Sequence, residues 1–158
     1  MISPSGVQNA SREMIISFED LYKKGRPIGP LPIGYAGCTW STSAWFLTRK
    51  AYPSARMRDQ CALLNANGHD LSFQIKGLFR LESLSLSSPW VDEVDVVLEG
   101  WAKEVKKYSR GLIVSMNTII DFTLNYRHID RVSLRTRGAL IVVDDITLLL
   151  DRDHSAHG

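Results

Sequence analysis

The sequence predicts an α+β fold: a single small domain in which an antiparallel sheet packs on one main helix, at about residues 88–110, and on shorter helices. Residues 71–81 alternate apolar and polar side chains, which predicts a strand with one solvent-exposed face. Residues 88–110 carry apolar side chains at helical spacing. A length of 158 residues and a hydrophobic content of 44% are enough for one domain with a core.

The predicted main helix begins at Ser88, a good N-cap, with Pro89 at the first helical position. Its acidic residues fall in the first turns and its basic residues in the last, which suits the helix macrodipole, and Gly111 ends it. Its apolar stripe consists of Trp90, Val94, Val97, Leu98, Trp101, Val105 and Tyr108. We interpret this stripe as core rather than as a ligand site.

Two other segments complete the predicted domain. A shorter helix is predicted at Ser54–Asn65, with Ser54 as its cap. Residues 112–126 are apolar and partly β-branched, and their pattern leaves both a strand and a short buried helix open.

A flexible arm is predicted before the domain. Residues 22–38 contain three prolines and four glycines, which neither a helix nor a central strand accommodates. We therefore predict a Pro/Gly-rich flexible arm over 1–38, a globular domain over 39–150 and a disordered tail over 151–158.

The arm contains a candidate self-association or partner-binding peptide. The proline spacing favours the polyproline-II conformation, which aromatic grooves recognise at low entropic cost. The sequence leaves two interpretations open: the peptide docks on a neighbouring copy or a host peptide-binding domain, or its apolar residues lie against the protein's own surface. The residues concerned are Ile28, Pro30, Leu31, Pro32, Ile33 and Tyr35.

Charge is distributed in blocks along the chain. Residues 101–137 hold eight Lys or Arg against three acidic residues, whereas 61–100 hold two against six. Separated blocks present a positive face to an anionic partner or stack copies head to tail, unless they intermix in the fold. The candidate membrane-binding or nucleic-acid-binding residues are Lys103, Lys106, Lys107, Arg110, Arg127, Arg131, Arg135 and Arg137. On a strand, Arg131, Arg135 and Arg137 share one face. This face is either a phosphate-binding row or a solvated surface.

Motifs of the major enzyme classes are missing from the sequence. It contains no GK[ST] phosphate loop, no GxGxxG after a strand, no GxSxG, no HExxH and no CxxC pair. Cys38 and Cys61 are too few for a zinc site and are predicted to be free thiols. The start lacks an apolar signal stretch, and no apolar run is long enough to span a membrane. We predict no enzyme, catalytic residue, metal or cofactor; a catalytic site assembled from distant residues remains an open alternative.

The order of features resembles that of the matrix proteins of rhabdoviruses. The length of the chain is nearer to that of the matrix proteins of plant-infecting members. The similarity lies in Ser72–Ser83 (SFQIKGLFRLES), the predicted helix Pro89–Tyr108 and the apolar segment Leu112–Asn117. The resemblance implies a non-enzymatic structural protein of the virion and the host-cell cytoplasm, at the inner face of membranes. It implies a homo-oligomer that binds anionic membrane and the viral nucleocapsid or RNA, and that drives virion assembly and budding.

Other function classes remain open at this point. The same arginines suit a basic RNA-binding regulator, such as a viral silencing suppressor. The arm alone suits an adaptor that binds a partner while monomeric. In the arm, Pro32-Ile-Gly-Tyr35 lacks the second proline of a Pro-Pro-x-Tyr late-domain peptide, which matrix proteins carry in this position.

Overall fold

The computed structural model describes residues 12–24, 27–51, 57–58, 60–116 and 118–151, and these residues contain ten β-strands and no α-helix. The strands are β1 (Arg12–Ile16), β2 (Ile28–Pro30), β3 (Thr39–Trp40), β4 (Ala44–Thr48), β5 (Cys61–Asn65), β6 (Leu71–Ser87), β7 (Glu93–Ala102), β8 (Val105–Ser115), β9 (Ile120–Arg135) and β10 (Val142–Leu150). Three short 3-10 segments lie at Glu19–Lys24, Tyr35–Gly37 and Ala66–Gly68.

All strand pairs are antiparallel and belong to one hydrogen-bonded sheet. The order is β2-β4-β5-β10-β6-β9-β7-β8, while β1 pairs with β10 and β3 pairs with β6. The long strands β6 and β9 run side by side from Leu71 opposite Leu134 to Leu86 opposite Ile120. Their register shifts in three places, between Gln74 and Phe79, between Phe79 and Leu81, and between Leu81 and Ser83, as β-bulges produce.

The core lies on one face of this sheet. Val96 and Leu98 of β7, Val114 of β8 and Val143 of β10 are 0% exposed, although β6 and β9 separate β10 from the β7–β8 pair in the sheet order. Since the described residues contain no α-helix, the sheet itself covers most of this apolar face, and residues between the strands, such as Phe18 and Leu21, add to the same core. The sheet therefore curls over on itself in a sandwich-like arrangement, with the polar residues of β7, β8 and β9 outside.

The predicted α+β fold is wrong, and so is its main helix at 88–110. That segment is a hairpin, in which β7 and β8 are joined by a two-residue turn at Lys103 and Glu104. Both turn residues have positive φ, 49° and 66°, as type I′ hairpin turns require. The usual sequence signal for such a turn is Asn-Gly, so the Lys103-Glu104 pair did not predict it.

The apolar stripe is compatible with both structures, which explains the error. Val94 and Leu98 suit one face of a helix, but Val94, Val96, Leu98 and Ala102 also alternate at strand spacing, and all four are buried. β-branched valines favour the strand. Ser88 does cap a turn, since its Oγ accepts the N–H of Val91 at 3.1 Å, but no helix follows.

The shorter predicted helix and the undecided segment also prove to be strands. Residues 61–65 of the predicted helix at 54–65 form β5, while 54–56 and 59 lie outside the described residues. The segment at 112–126 supplies the end of β8 and the start of β9. The strand predicted at 71–81 is confirmed within β6. Cys38 and Cys61 are confirmed as free, buried thiols.

The flexible arm that the fold prediction placed before the domain is wrong for the described part of 1–38. β1 pairs with β10 over five residues, from Arg12 opposite Leu150 to Ile16 opposite Ile146, and β2 pairs with β4. Pro30 is compatible with a strand because β2 is the edge strand of the sheet. Residues 1–11 and 152–158 lie outside the described residues, and the division at 38/39 and 150/151 stays a prediction.

Candidate functional site

The candidate site is the outer face of β7, β8 and β9, which we call the Trp101 face: Glu99, Trp101, Lys106, Arg131, Ser133 and Arg135. Pairing sets this group, because Trp101 lies opposite both Lys106 and Arg131, and Glu99 lies opposite Ser133. The intervening Val132 and Leu134 point into the core. Alternation along three neighbouring strands thus collects polar side chains around one indole ring.

Glu99 is the buried anchor of the Trp101 face. Its side chain is only 3% exposed, and its Oε2 lies 3.2 Å from Lys106 Nζ and 3.6 Å from Arg135 Nη1. Its Oε1 accepts the Ser133 hydroxyl at 3.0 Å. Burying a carboxylate is costly unless charged and hydrogen-bonding partners surround it, and here both oxygens have them. The carboxylate therefore holds Lys106, Ser133 and Arg135 in place.

Trp101 is oriented from its edge and from its face. The indole Nε1 donates to Ser133 Oγ at 3.1 Å. The Arg131 guanidinium lies 4.5 Å from the ring centroid, and Lys106 Nζ lies 5.9 Å from it. Cations in these positions are attracted by the ring quadrupole. Glu99, Ser133 and Trp101 therefore form one hydrogen-bonded unit, from the buried carboxylate out to the half-buried ring.

Gly100 provides the space under this unit. Tyr108 and Tyr126 stack beside it with ring centroids 4.5 Å apart, and the Tyr126 hydroxyl donates to the Leu98 carbonyl at 3.2 Å. A Cβ on Gly100 would lie 2.9 Å from Tyr126 Cδ2. The glycine therefore allows the tyrosine pair to support the strand that carries Glu99 and Trp101.

The arrangement suits reversible binding of a polyhydroxylated ligand. Guanidinium and ammonium groups donate hydrogen bonds, a carboxylate and a hydroxyl accept them, and the indole offers apolar surface. Arg135 and Lys106 keep 52% and 45% of their side chains exposed, so a ligand can reach them.

The basic residues predicted from the sequence divide into separate groups. Lys106, Arg131 and Arg135 converge on the Trp101 face, as the pattern on one strand face indicated for the two arginines. Arg137 does not join them, because β9 ends at Arg135 and residue 137 lies in a turn with φ 54°. Arg110 also lies elsewhere, with its Nη1 donating to a backbone carbonyl at 3.2 Å.

The remaining predicted cations lie around a different cleft of about 470 Å³, with Lys103, Lys107 and Arg127 in its wall. Sequence reasoning missed Glu99, Trp101 and Ser133 as site residues. The period-two pattern of β7 was the signal that would have placed Glu99 and Trp101 on the outer face.

A second, smaller cleft of about 310 Å³ lies between the 41–43 and 66–70 segments. Trp45 and His69 contribute its rings, and Ser41, Ser43 and Asp70 its polar groups. Ser43 Oγ donates to the Asp70 carbonyl at 2.6 Å, and Ser41 Oγ accepts the N–H of Ser72 at 3.0 Å. Most of these polar atoms are thus committed to holding the two segments together.

The candidate peptide of the arm lies mainly against the protein itself. Ile28 pairs with Leu47, and Leu31 packs against the main core. Tyr35 stacks on Phe18 at 5.7 Å, and its hydroxyl donates to Asp20 at 2.5 Å. Pro30 and Pro32 are exposed, and so is Ile33. A role of these six residues in binding a partner stays a prediction.

Comparisons with known proteins place this architecture. No protein-family model matches the chain, and no curated protein matches it in sequence. In structure, it resembles the N-terminal CBM22-1-CBM22-2 tandem domain of Paenibacillus barcinonensis Xyn10C, with a TM-score of 0.55 and 12% identity over 95% of this chain. The match covers 48% of that chain, so this chain spans about half the length of the tandem.

A single module is matched over nearly its whole length. The C-terminal family 22 carbohydrate-binding module of Clostridium thermocellum Xyn10B has a TM-score of 0.54 and 14% identity, over 94% of this chain and 98% of that one. That module is described as having a cleft with conserved amino acids in ligand binding. At these identities the likeness shows the fold alone: a β-sandwich shared with family 22 modules.

This fold overturns the resemblance to rhabdovirus matrix proteins, which rested on a helix at Pro89–Tyr108 where the structure has the β7–β8 hairpin. The predictions that depended on it are wrong: virion assembly and budding, a homo-oligomer on anionic membrane, and binding of nucleocapsid or RNA. The RNA-binding silencing suppressor and the adaptor likewise find no counterpart among the matched folds. Among the described residues, no helix is long and apolar enough to cross a membrane.

Proposed function

We propose that this chain is a non-catalytic carbohydrate-binding domain that holds neutral sugar units of a polysaccharide on the Trp101 face. The observation that carries the proposal is the indole ring of Trp101, fixed by Ser133 and flanked by Arg131. A sugar has an apolar C–H face and hydroxyl groups that both donate and accept hydrogen bonds. An aromatic ring beside fixed donors and acceptors matches both features.

Each cation of the Trp101 face already has a partner within the protein. Lys106 and Arg135 already have a carboxylate partner in Glu99, and Arg131 has the indole ring. The three cations outnumber the one carboxylate, but each is held by a contact within the protein, and their remaining N–H donors are available to hydroxyl oxygens. The fold shared with the Xyn10B module, described as binding ligand in a cleft, supports the same function.

The test is isothermal titration of the protein with neutral oligosaccharides, beginning with xylohexaose and matched oligomers of glucose, mannose and galactose. We expect one series to bind, and Trp101→Ala to weaken it about five- to thirtyfold, since losing one aromatic contact costs about 1–2 kcal/mol. Trp90→Ala is the matched control, because Trp90 is 56% exposed in the connection before β7. Unchanged affinity in Trp101→Ala, or no binding in any neutral series, would contradict the proposal.

A further inference from the structure

The second site concerns the opposite face of the same hairpin. We call it the basic cleft: Lys103, Lys107, Tyr108, Arg127 and His128, which line a depression of about 470 Å³. This volume lies in the range of small-ligand sites. Lys103 comes from the β7–β8 turn, Lys107 and Tyr108 from β8, and the other two residues from β9.

A shift in strand register separates the basic cleft from the Trp101 face. Trp101 pairs with Lys106, but Gly100 pairs with Tyr108, so Lys107 is an extra residue in β8. Such a bulge changes which side chains share a face. Lys106 therefore joins Trp101 outside, whereas Tyr108 stacks on Tyr126 on the other side.

Lys103, Lys107 and Arg127 of the basic cleft form no ion pair with the described residues. Asp130 Oδ2 accepts only the backbone N–H of Lys103, at 3.0 Å. The nearest ion pair is that of His128 Nδ1 with Asp151 Oδ2, at 3.5 Å. Three unpaired cations around one depression create a positive potential that an anionic ligand would relieve.

The walls between these cations are apolar and aromatic. Leu78 and Val105 line the cleft and are 37% and 57% exposed. The Tyr108 hydroxyl accepts the backbone N–H of Arg127 at 3.2 Å, which fixes the ring against β9 at Arg127. A bare inorganic anion would leave this apolar surface uncovered, whereas a ring that carries an anionic substituent would cover it.

We propose that the basic cleft binds a negatively charged sugar unit, carrying a carboxylate or a sulfate group. This inference rests on the proposed carbohydrate-binding function and adds a second subsite with its own ligand class. Lys107 and Arg127 hold the anionic group, since Arg binds planar oxyanions in a bidentate way and Lys binds as a point charge. The sugar ring lies against Tyr108 and Val105. A polysaccharide that mixes neutral and acidic units would then contact both faces of the hairpin.

The test is isothermal titration of the full chain with a galacturonate oligomer, a sulfated galactose oligomer and xylohexaose, at low and high salt. We expect at least one acidic oligomer to bind, and its affinity to fall with salt because the contact is ionic. Lys107→Gln/Arg127→Gln should weaken that binding at least tenfold. It should leave unchanged the binding of whichever neutral oligomer the Trp101 face binds, which replaces xylohexaose here if the two differ. Lys50→Gln/Arg137→Gln is the matched control, since it removes the same two charges from exposed positions outside the cleft.

The outcomes separate the two proposals. Acidic binding that survives Trp101→Ala but not the cleft variant supports the second site. Acidic binding that is lost in Trp101→Ala, or that resists the cleft variant, overturns it. Equal affinity for inorganic polyphosphate of the same charge also overturns it, because the cleft would then recognise charge without a sugar.

If the protein binds a neutral oligomer but no acidic one, only the proposal for the basic cleft is refuted. If it binds an acidic oligomer but no neutral one, only the proposal for the Trp101 face is refuted. Thermal unfolding of each variant verifies that it is folded.

Discussion

The two faces of the β7–β8 hairpin use the same residue types in opposite ways. On the Trp101 face, Glu99 and the indole give Lys106, Arg131 and Arg135 a partner. In the basic cleft, Lys103, Lys107 and Arg127 have no ion-pair partner among the described residues. The first arrangement is a prearranged set of hydrogen-bonding groups around one carboxylate, and the second is a set of three cations without an ion-pair partner.

The comparison shows that the number of cations does not define a binding surface. The distribution of carboxylates among them does, and one buried residue, Glu99, makes the difference here. Exposed ion pairs stabilise a fold only weakly, but a buried carboxylate fixes the geometry of its partners. The pH dependence of folding stability comes first, because a change in stability must be distinguished from a change in binding at either face.

The largest expected effect comes from pH and from Asp144 in β10. This residue is 2% exposed, and its carboxylate accepts the N–H of Asp145 at 2.9 Å and that of Arg58 at 3.3 Å. Burial, followed by the charge of Asp145 and a smaller contribution from Glu19, raises the pKa of Asp144 to about 7. The native state therefore holds this proton more tightly than the unfolded chain does.

We expect stability from this residue to be fully present below about pH 4 and to be lost as pH rises towards 7, by about 4 kcal/mol at most. Asp144→Asn should flatten this part of the curve of unfolding free energy against pH. Asp121→Asn is the control of opposite sign, because the Ser85 hydroxyl, followed by Arg58, lowers the pKa of Asp121. The contribution of Asp121 is present above about pH 4 and is lost as pH falls below it, so urea unfolding from pH 2 to 8 measures both residues. An unchanged slope between pH 4 and 7 in Asp144→Asn would contradict the assignment.

The next largest effect is expected for Gly100→Ala, which acts on both faces together. The added Cβ would lie 2.9 Å from Tyr126 Cδ2 and 3.3 Å from Tyr108 Cδ2, so the tyrosine pair must shift. Overpacking of this kind costs about 1–3 kcal/mol. Urea unfolding measures the loss, and titration should show weaker binding at both faces. Gly111→Ala is the control, since nothing lies within 4 Å of its added Cβ; equal stability of the two variants would contradict the tight fit at Gly100.

The smallest effect on stability is expected for Glu99→Gln, and it is the sharpest test of the comparison. Removing the charge leaves Lys106 and Arg135 without their counter-ion, but both are half exposed, so the cost is about 1 kcal/mol. The Trp101 face then becomes electrostatically similar to the basic cleft. We expect weaker binding of the neutral oligosaccharide and new salt-sensitive binding of the acidic one. Glu82→Gln, which breaks the half-exposed pair with Arg80, should change neither affinity.

Part of the candidate site could be predicted from the sequence, and the parts that could not be predicted were missed for physical reasons. Alternation in β6 and on the Arg131–Arg135 stretch is a local property of a strand, so both were read correctly. The β7–β8 hairpin was missed because valines at 94, 96 and 97 and apolar residues at 98 and 101 satisfy both periods, and because its turn uses Lys-Glu. Glu99 and Trp101 lie 30 or more residues from the partners that β9 gives them, and no local pattern connects such positions.

Composition and local patterns were enough to predict a domain with a core, two free thiols and the strand at 71–81. They also showed the surplus of cations in residues 101–137. These are properties of single residues or of neighbours along the chain. The tertiary structure alone decided that the surplus divides into a paired face and an unpaired cleft. That outcome depends on the order β6-β9-β7-β8 and on the extra residue Lys107, because pairing between distant strands sets which side chains meet.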